Sequence, residues 1–181
     1  MPFSDTPFKG LKIFEPKIYK DDRGYFFESF NQKEIEQAGI QTMFVQDNQV
    51  FSTQNVLRGL HYQLFPFEQA KLVRAIQGEI LDVVVDLREE EPTYGQWFSI
   101  RLSGENHRQL FVPRGFAHGY SVLSPTAMVS YKCDNFYATG HEGGIRYDDP
   151  TLQIDWQIDL AKTVVSEKDK AQPLFGKHPR N

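Results

Sequence analysis

The chain has 181 residues, enough for one domain with a sizeable core, and its 40% hydrophobic and 24% charged residues are ordinary for a globular protein. A formal net charge of −4 disfavours a nucleic-acid partner, yet leaves room for a locally basic pocket around an anionic small molecule. The single Cys133 excludes an internal disulfide and fits a reducing, cytoplasmic compartment. Met1 to Phe8 lacks the basic-then-apolar order of an export signal, and the longest apolar run, Ile80 to Leu87, is too short for a membrane span and is broken by Asp82 and Asp86.

In chain order, the first strand is predicted at Leu11 to Ile18, followed by a turn at Asp21-Asp22-Arg23-Gly24 and a second strand at Tyr25 to Phe30. Asn31, Glu34 three residues on, and Gly39 read as an N-cap, a capping-box partner and a stop, bracketing one helix of about two turns. Strands are then expected near Met43–Phe51, Val56–Gln63, Ala70–Gln77, Glu79–Leu87, Gln96–Ser103, Gln109–Val112, Phe116–Leu123 and Ala127–Cys133. Gly78 and Ser103-Gly104-Glu105-Asn106 supply turns. Beyond Thr163 the tail is polar, and Pro173 and Pro179 predict irregular structure. No linker divides the chain, so residues 1–181 read as a single domain. Many short strands without alternating helices fit an all-β, double-sheet jelly roll of the cupin type.

Four segments carry the chemistry. In Asp22-Arg23-Gly24-Tyr25-Phe26-Phe27-Glu28, Phe26 and Glu28 share a strand face; in Phe44-Val45-Gln46-Asp47-Asn48, Gln46 and Asn48 do the same. The third is Leu57-Arg58-Gly59-Leu60-His61-Tyr62-Gln63, with Lys71 one strand later. The fourth is Pro113-Arg114-Gly115-Phe116-Ala117-His118-Gly119, with Tyr131 on the next strand. Arg58 and His61 are an odd number apart, so a regular strand sends them to opposite faces. Two readings would bring both into one pocket: a bulge at Gly59, or Arg58 at the end of the strand.

Together these segments resemble the dTDP-4-dehydrorhamnose 3,5-epimerase family, over a stretch from Leu11 to Ser166-Glu167-Lys168-Asp169. The resemblance implies a cupin-fold homodimer acting on dTDP-4-keto-6-deoxy-glucose without metal or organic cofactor. It implies His61 as base, Tyr131 as acid, Asp169 as the carboxylate orienting the histidine, and Lys71 beside the keto oxygen. It places Arg23, Phe26, Glu28, Gln46, Asn48, Arg58, His118, Glu142 and Lys168 at substrate-binding positions, and Tyr137 where an aromatic ring stacks on the nucleobase.

The residue types suit that reaction. Inverting a carbon next to a ketone requires a base, an opposed acid and a cation at the growing enolate oxygen. Histidine has an ordinary pKa near about 6.5 and phenol near about 10, which fits them to the first two roles. A lysine ammonium fits the third, and arginine forks match a pyrophosphate. A metal-binding cupin would need paired histidines where this chain reads His61-Tyr62-Gln63, leaving too few ligands for a divalent ion. Three alternatives remain open at this level: epimerisation at one carbon only, a cupin 3,4-ketoisomerase, and a non-catalytic sugar-nucleotide binding cupin.

Overall fold

Strand Glu79–Asp86 shows how the sequence builds two layers. On one face, Ile80 and Val84, with Asp82 between them, pack into one apolar cluster with Val73, Ala75, Leu110, Val122 and Val129. The intervening Leu81, Val83 and Val85 pack into a second cluster with Leu57, Ile145 and Trp156. A strand covered on both faces reads as a near-continuous apolar run, and the period of two decides which residue meets which layer.

The computed structural model describes residues 2–180. Thirteen strands appear among them: β1 (Phe3–Asp5), β2 (Lys12–Phe14), β3 (Tyr19–Asp21), β4 (Gly24–Phe26), β5 (Gln46–Thr53), β6 (Leu57–Gln63), β7 (Lys71–Gln77), β8 (Glu79–Asp86), β9 (Trp97–Ser103), β10 (Gln109–Val112), β11 (Phe116–Val122), β12 (Thr126–Cys133) and β13 (Glu142–Gly144). Two helices join them, α1 (Gln32–Gln37) and α2 (Glu167–Lys170). A six-stranded sheet runs β1-β2-β10-β7-β12-β5, and a five-stranded sheet runs β13-β6-β11-β8-β9. All of their pairings are antiparallel. The first apolar cluster fills the space between the sheets, as the jelly-roll reading expects. The second is capped by the returning chain around Leu152, Ile154 and Trp156. Strands β3 and β4 form a separate two-stranded hairpin.

Helix α1 lies where expected. The Asn31 side chain accepts from the Lys33 N–H at 3.0 Å, and Gly39 takes a positive φ at the exit. The expected reciprocal contact from Glu34 is absent among the described hydrogen bonds; the Asn31 amide instead donates to Glu28 Oε1 at 3.1 Å. Ile35 and Ile40 anchor the helix against Ala70, Leu72 and Phe111 on the outer face of the six-stranded sheet.

Three expectations need correction. The strand expected at Leu11–Ile18 is only Lys12–Phe14, because Pro16 lacks the N–H that pairing needs. The strand expected at Tyr25–Phe30 stops at Phe26, where pairing with the short β3 ends. The tail beyond Thr163 is not wholly irregular. It contains α2, begun by Ser166, whose side chain accepts from the Asp169 N–H at 3.1 Å.

Candidate active site

One cavity of about 560 Å³ opens between the sheets, lined by Arg58 and His61 from β6, Lys71 from β7, His118 and Tyr120 from β11, Tyr131 from β12 and Asp169 from α2. It adjoins a second of about 390 Å³ that shares His61, Lys71, Tyr131 and Lys168, and adds Gln46, Asn48, Cys133, Tyr137 and Glu142. Base and acid candidates thus stand on opposed walls, His61 on the five-stranded sheet and Tyr131 on the six-stranded sheet.

The parity problem between Arg58 and His61 is resolved at Gly59. His61 pairs with His118 and Arg58 with Tyr120, so three steps along β6 match two along β11, a one-residue bulge. Gly59 has φ +130, and a Cβ there would meet the Gly119 Cα at 2.5 Å. Only glycine supplies both the left-handed backbone and this close approach of two chains. Arg58 and His61 therefore face the same cavity, with the Arg58 Nε donating to Ser52 Oγ at 3.1 Å.

His61 Nε2 lies 2.7 Å from Asp169 Oδ1. Asp169 is buried, and its Oδ2 accepts from the Gly59 N–H at 3.2 Å. Burial would raise the Asp169 carboxyl, but the contacts from His61, Gly59 and Ser166 outweigh it and hold the group below its usual range. In the neutral imidazole, Nε2–H donates to this carboxylate, which leaves the Nδ1 lone pair as the ring's available base. Burial, with Cys133 and Tyr120 nearby, pushes the Tyr131 phenol up, so it holds its proton at neutral pH. Burial also pushes the Lys71 ammonium down, opposed by Cys133 and Asp82.

At the second cavity, the Gln46 amide donates to Asn48 Oδ1 at 3.1 Å and its oxygen accepts from the Tyr137 N–H at 3.1 Å. Lys168 Nζ donates to Glu142 Oε2 at 2.6 Å, and this contact draws the Glu142 carboxyl down and the Lys168 ammonium up. Cys133 is buried as a small apolar residue would be, although its Sγ accepts from Asn48 Nδ2 at 3.7 Å. Among the described residues, no group of three or more His, Cys, Asp or Glu is arranged to hold a metal ion.

Three expected substrate positions are not in this chain's cavity. Arg23 stands at the tip of the β3–β4 hairpin, its side chain 90% exposed and ion-paired with Asp21 at 2.5 Å. Phe26 is exposed on the same hairpin, and Glu28 lines a separate groove with Tyr19 and Pro16. The hairpin pairs with neither main sheet, which is why motif spacing alone could not place these residues. Motif spacing singles out neither Asp82, which meets His118 Nε2 at 2.7 Å, nor Tyr120, which lines the cavity. An acid interrupting the apolar run of β8 was the available signal for the first.

The chain matches the family model described as dTDP-4-dehydrorhamnose 3,5-epimerase over residues 5–177. The chain belongs to the dTDP-4-dehydrorhamnose 3,5-epimerase family. It is 52% identical over 164 residues to the dTDP-4-dehydrorhamnose 3,5-epimerase of Pseudomonas aeruginosa, covering 90% of each chain. A solved dTDP-6-deoxy-D-glucose-3,5-epimerase from Legionella pneumophila, in complex with dTDP-4-keto-L-rhamnose, superposes with a TM-score of 0.93 at 47% identity, over 99% of this chain and 97% of that one. A 3'-monoepimerase from Streptomyces bikiniensis in complex with dTDP-quinovose shares the fold too, with a TM-score of 0.88 at 31% identity over 94% and 86% of the two chains. Within this epimerase family the fold therefore does not by itself fix how many carbons are inverted.

Proposed function

We propose that the protein inverts carbons 3 and 5 of dTDP-4-dehydro-6-deoxy-D-glucose to give dTDP-4-dehydro-L-rhamnose, by proton transfer between His61 and Tyr131. The carrying observation is the opposition of these two side chains across one cavity that Lys71 also lines, from the sheet that bears Tyr131. His61 Nδ1 takes the proton from the carbon beside the ketone. The C–H electron pair moves into an enolate, whose oxygen the Lys71 ammonium stabilises more strongly as its charge grows. The Tyr131 hydroxyl returns a proton to the opposite face. The imidazolium and phenolate then reset by exchange with solvent, ready for the second carbon. Such positioned proton transfers contribute typically about 10²–10⁴-fold each.

Arg58 suits the pyrophosphate, and Gln46, Asn48 and Tyr137 form the wall where the nucleoside would rest. The family likeness to both double and single epimerases makes the isotope assay decisive. Turnover in heavy water is expected to place deuterium at carbons 3 and 5. Label at carbon 3 alone would assign a mono-epimerase, and a shifted ketone would assign a ketoisomerase.

A homodimer belongs to the same reading. Arg23 and Phe26 sit on an exposed hairpin bearing Tyr19, Tyr25 and Phe26, an apolar surface that a second copy would cover while receiving Arg23 in its own cavity. Mixing inactive Arg23→Ala and His61→Asn chains is expected to restore activity in the mixed dimer, which retains one complete site. No restoration, or a monomer by light scattering, would remove it. A cytoplasmic location rests on the lone unpaired Cys133 and on the nucleotide-activated substrate.

A further inference from the structure

Two carboxylates on β8 point into the interior from the same face, Asp82 and Asp86, and both are fully buried. Asp86 is saturated. Arg88 reaches both of its oxygens, at 2.9 and 2.7 Å, and Thr93 donates to Oδ2 at 2.6 Å. Asp82 is not. Its Oδ1 lies 2.7 Å from His118 Nε2, while its Oδ2 has no hydrogen-bond partner among the described residues. A buried carboxylate with an idle oxygen between Ile80 and Val84 is costly wherever it serves only the fold, because apolar residues would fill that face without the penalty.

What faces Asp82 accounts for it. Tyr120 is its direct cross-strand neighbour on β11, and His118 lies two residues away on the same face. On the opposed sheet, Lys71 of β7, in register with Cys133 of β12, lines the same cavity as His118 and Tyr120. Lys71 makes no ion pair among the described residues, and Asp82 is the carboxylate that acts on its charge. The cavity thus carries one cation with no ion pair among the described residues, and behind the His118 and Tyr120 wall of the opposed sheet lies one anion with a free oxygen.

We propose that Asp82 is a positioning residue for the epimerisation: its Oδ1 fixes the His118 ring, and its free Oδ2 holds the Lys71 ammonium, through its field, where the enolate oxygen forms. The assignment rests on the proton-transfer reading above, because it acts through Lys71. The unsaturated Oδ2 serves the reaction: a carboxylate bonded tightly to Lys71 would compete with the developing oxyanion, whereas one held off steadies the cation and leaves its N–H donors to the substrate.

The test is a double-mutant cycle on the full-length protein with Asp82→Asn and Lys71→Met, reading kcat, KM and thermal midpoint. Asp82→Asn is expected to lower kcat by about tenfold to a hundredfold, short of the ~10²–10³-fold for removing an oxyanion donor outright. Its KM should stay within about threefold and its midpoint should be unchanged or raised. In the Lys71→Met background the same substitution should cost less than about threefold, the non-additivity expected of residues acting as a unit. Asp82→Leu, which suits the apolar wall, repeats the measurement should the asparagine variant not fold. A kcat within about twofold of wild type, or losses that multiply across the cycle, would overturn the assignment. If Lys71→Met itself retained full kcat, the enolate role of Lys71 would fall with it, which separates the two failures.

Discussion

Two histidine–carboxylate pairs flank one cavity with the same Nε2-to-Oδ1 distance of 2.7 Å, and they differ in nearly everything else. His61 is 42% exposed at its side chain, and Asp169 behind it accepts a second hydrogen bond from Gly59. His118 is 9% exposed, and Asp82 behind it keeps one oxygen idle. In the proposed reaction the base takes up and gives away a proton twice per turnover, which calls for access to substrate and solvent and a satisfied anion behind the ring. A ring that shapes a wall needs neither. Hydrogen-bond length therefore does not separate the two histidines; access and the state of the carboxylate do, and they favour His61 as the proposed base.

The sharpest way to break this contrast is to exchange the roles. His61→Asn is expected to lower kcat by about 10³–10⁴-fold, with dTDP binding by calorimetry changed less than about threefold. His118→Asn should cost at least about tenfold less in kcat, with its effect weighted toward KM. Equal losses in kcat would erase the distinction. Next in size, Asp169→Asn keeps the shape but disfavours the tautomer with a free Nδ1. Loss of about 10²–10⁴-fold in kcat at little change in KM is expected, and an unaffected kcat would leave His61 acting without it.

The smallest effect is on stability. The folded Asp169 carboxyl lies below its unfolded value of 3.8, so its stabilisation is present above about pH 4 and is lost as pH falls through the lower folded value. The thermal midpoints of wild type and Asp169→Asn should accordingly converge as pH is lowered from about 6 to about 3. A gap that widens on acidification would reverse the sign assigned here.

The barrel was legible because β9 and β12 carry apolar residues at period two (Phe98, Ile100, Leu102; Ala127, Val129, Tyr131) and β8 is a short, nearly continuous apolar run, with turn residues such as Gly78 between strands. Helix α2 was not, since four residues have no periodicity to read. Only the Ser166…Asp169 cap spacing marked it. Strands β1 and β13 span three residues each and exist because longer neighbours pair with them. In the site, the odd spacing of Arg58 and His61 left a bulge at Gly59 and a strand end at Arg58 both open, and the structure has the bulge. The empty oxygen of Asp82 is a purely tertiary fact. The outward placement of Arg23 and Phe26 is another, because motif spacing says nothing about which way a hairpin swings.

The close contact of Gly59 with Gly119 has a consequence for anyone transplanting this chemistry. Lifted onto a regular strand of another barrel, the same seven residues would deliver to a pocket either the arginine proposed for the pyrophosphate or the imidazole proposed as base, never both. Single replacements elsewhere could not recover the lost partner, because the fault would be one of frame rather than of side chain. A working graft has to carry the inserted residue and the facing glycine together, as one indivisible cassette drawn from two strands.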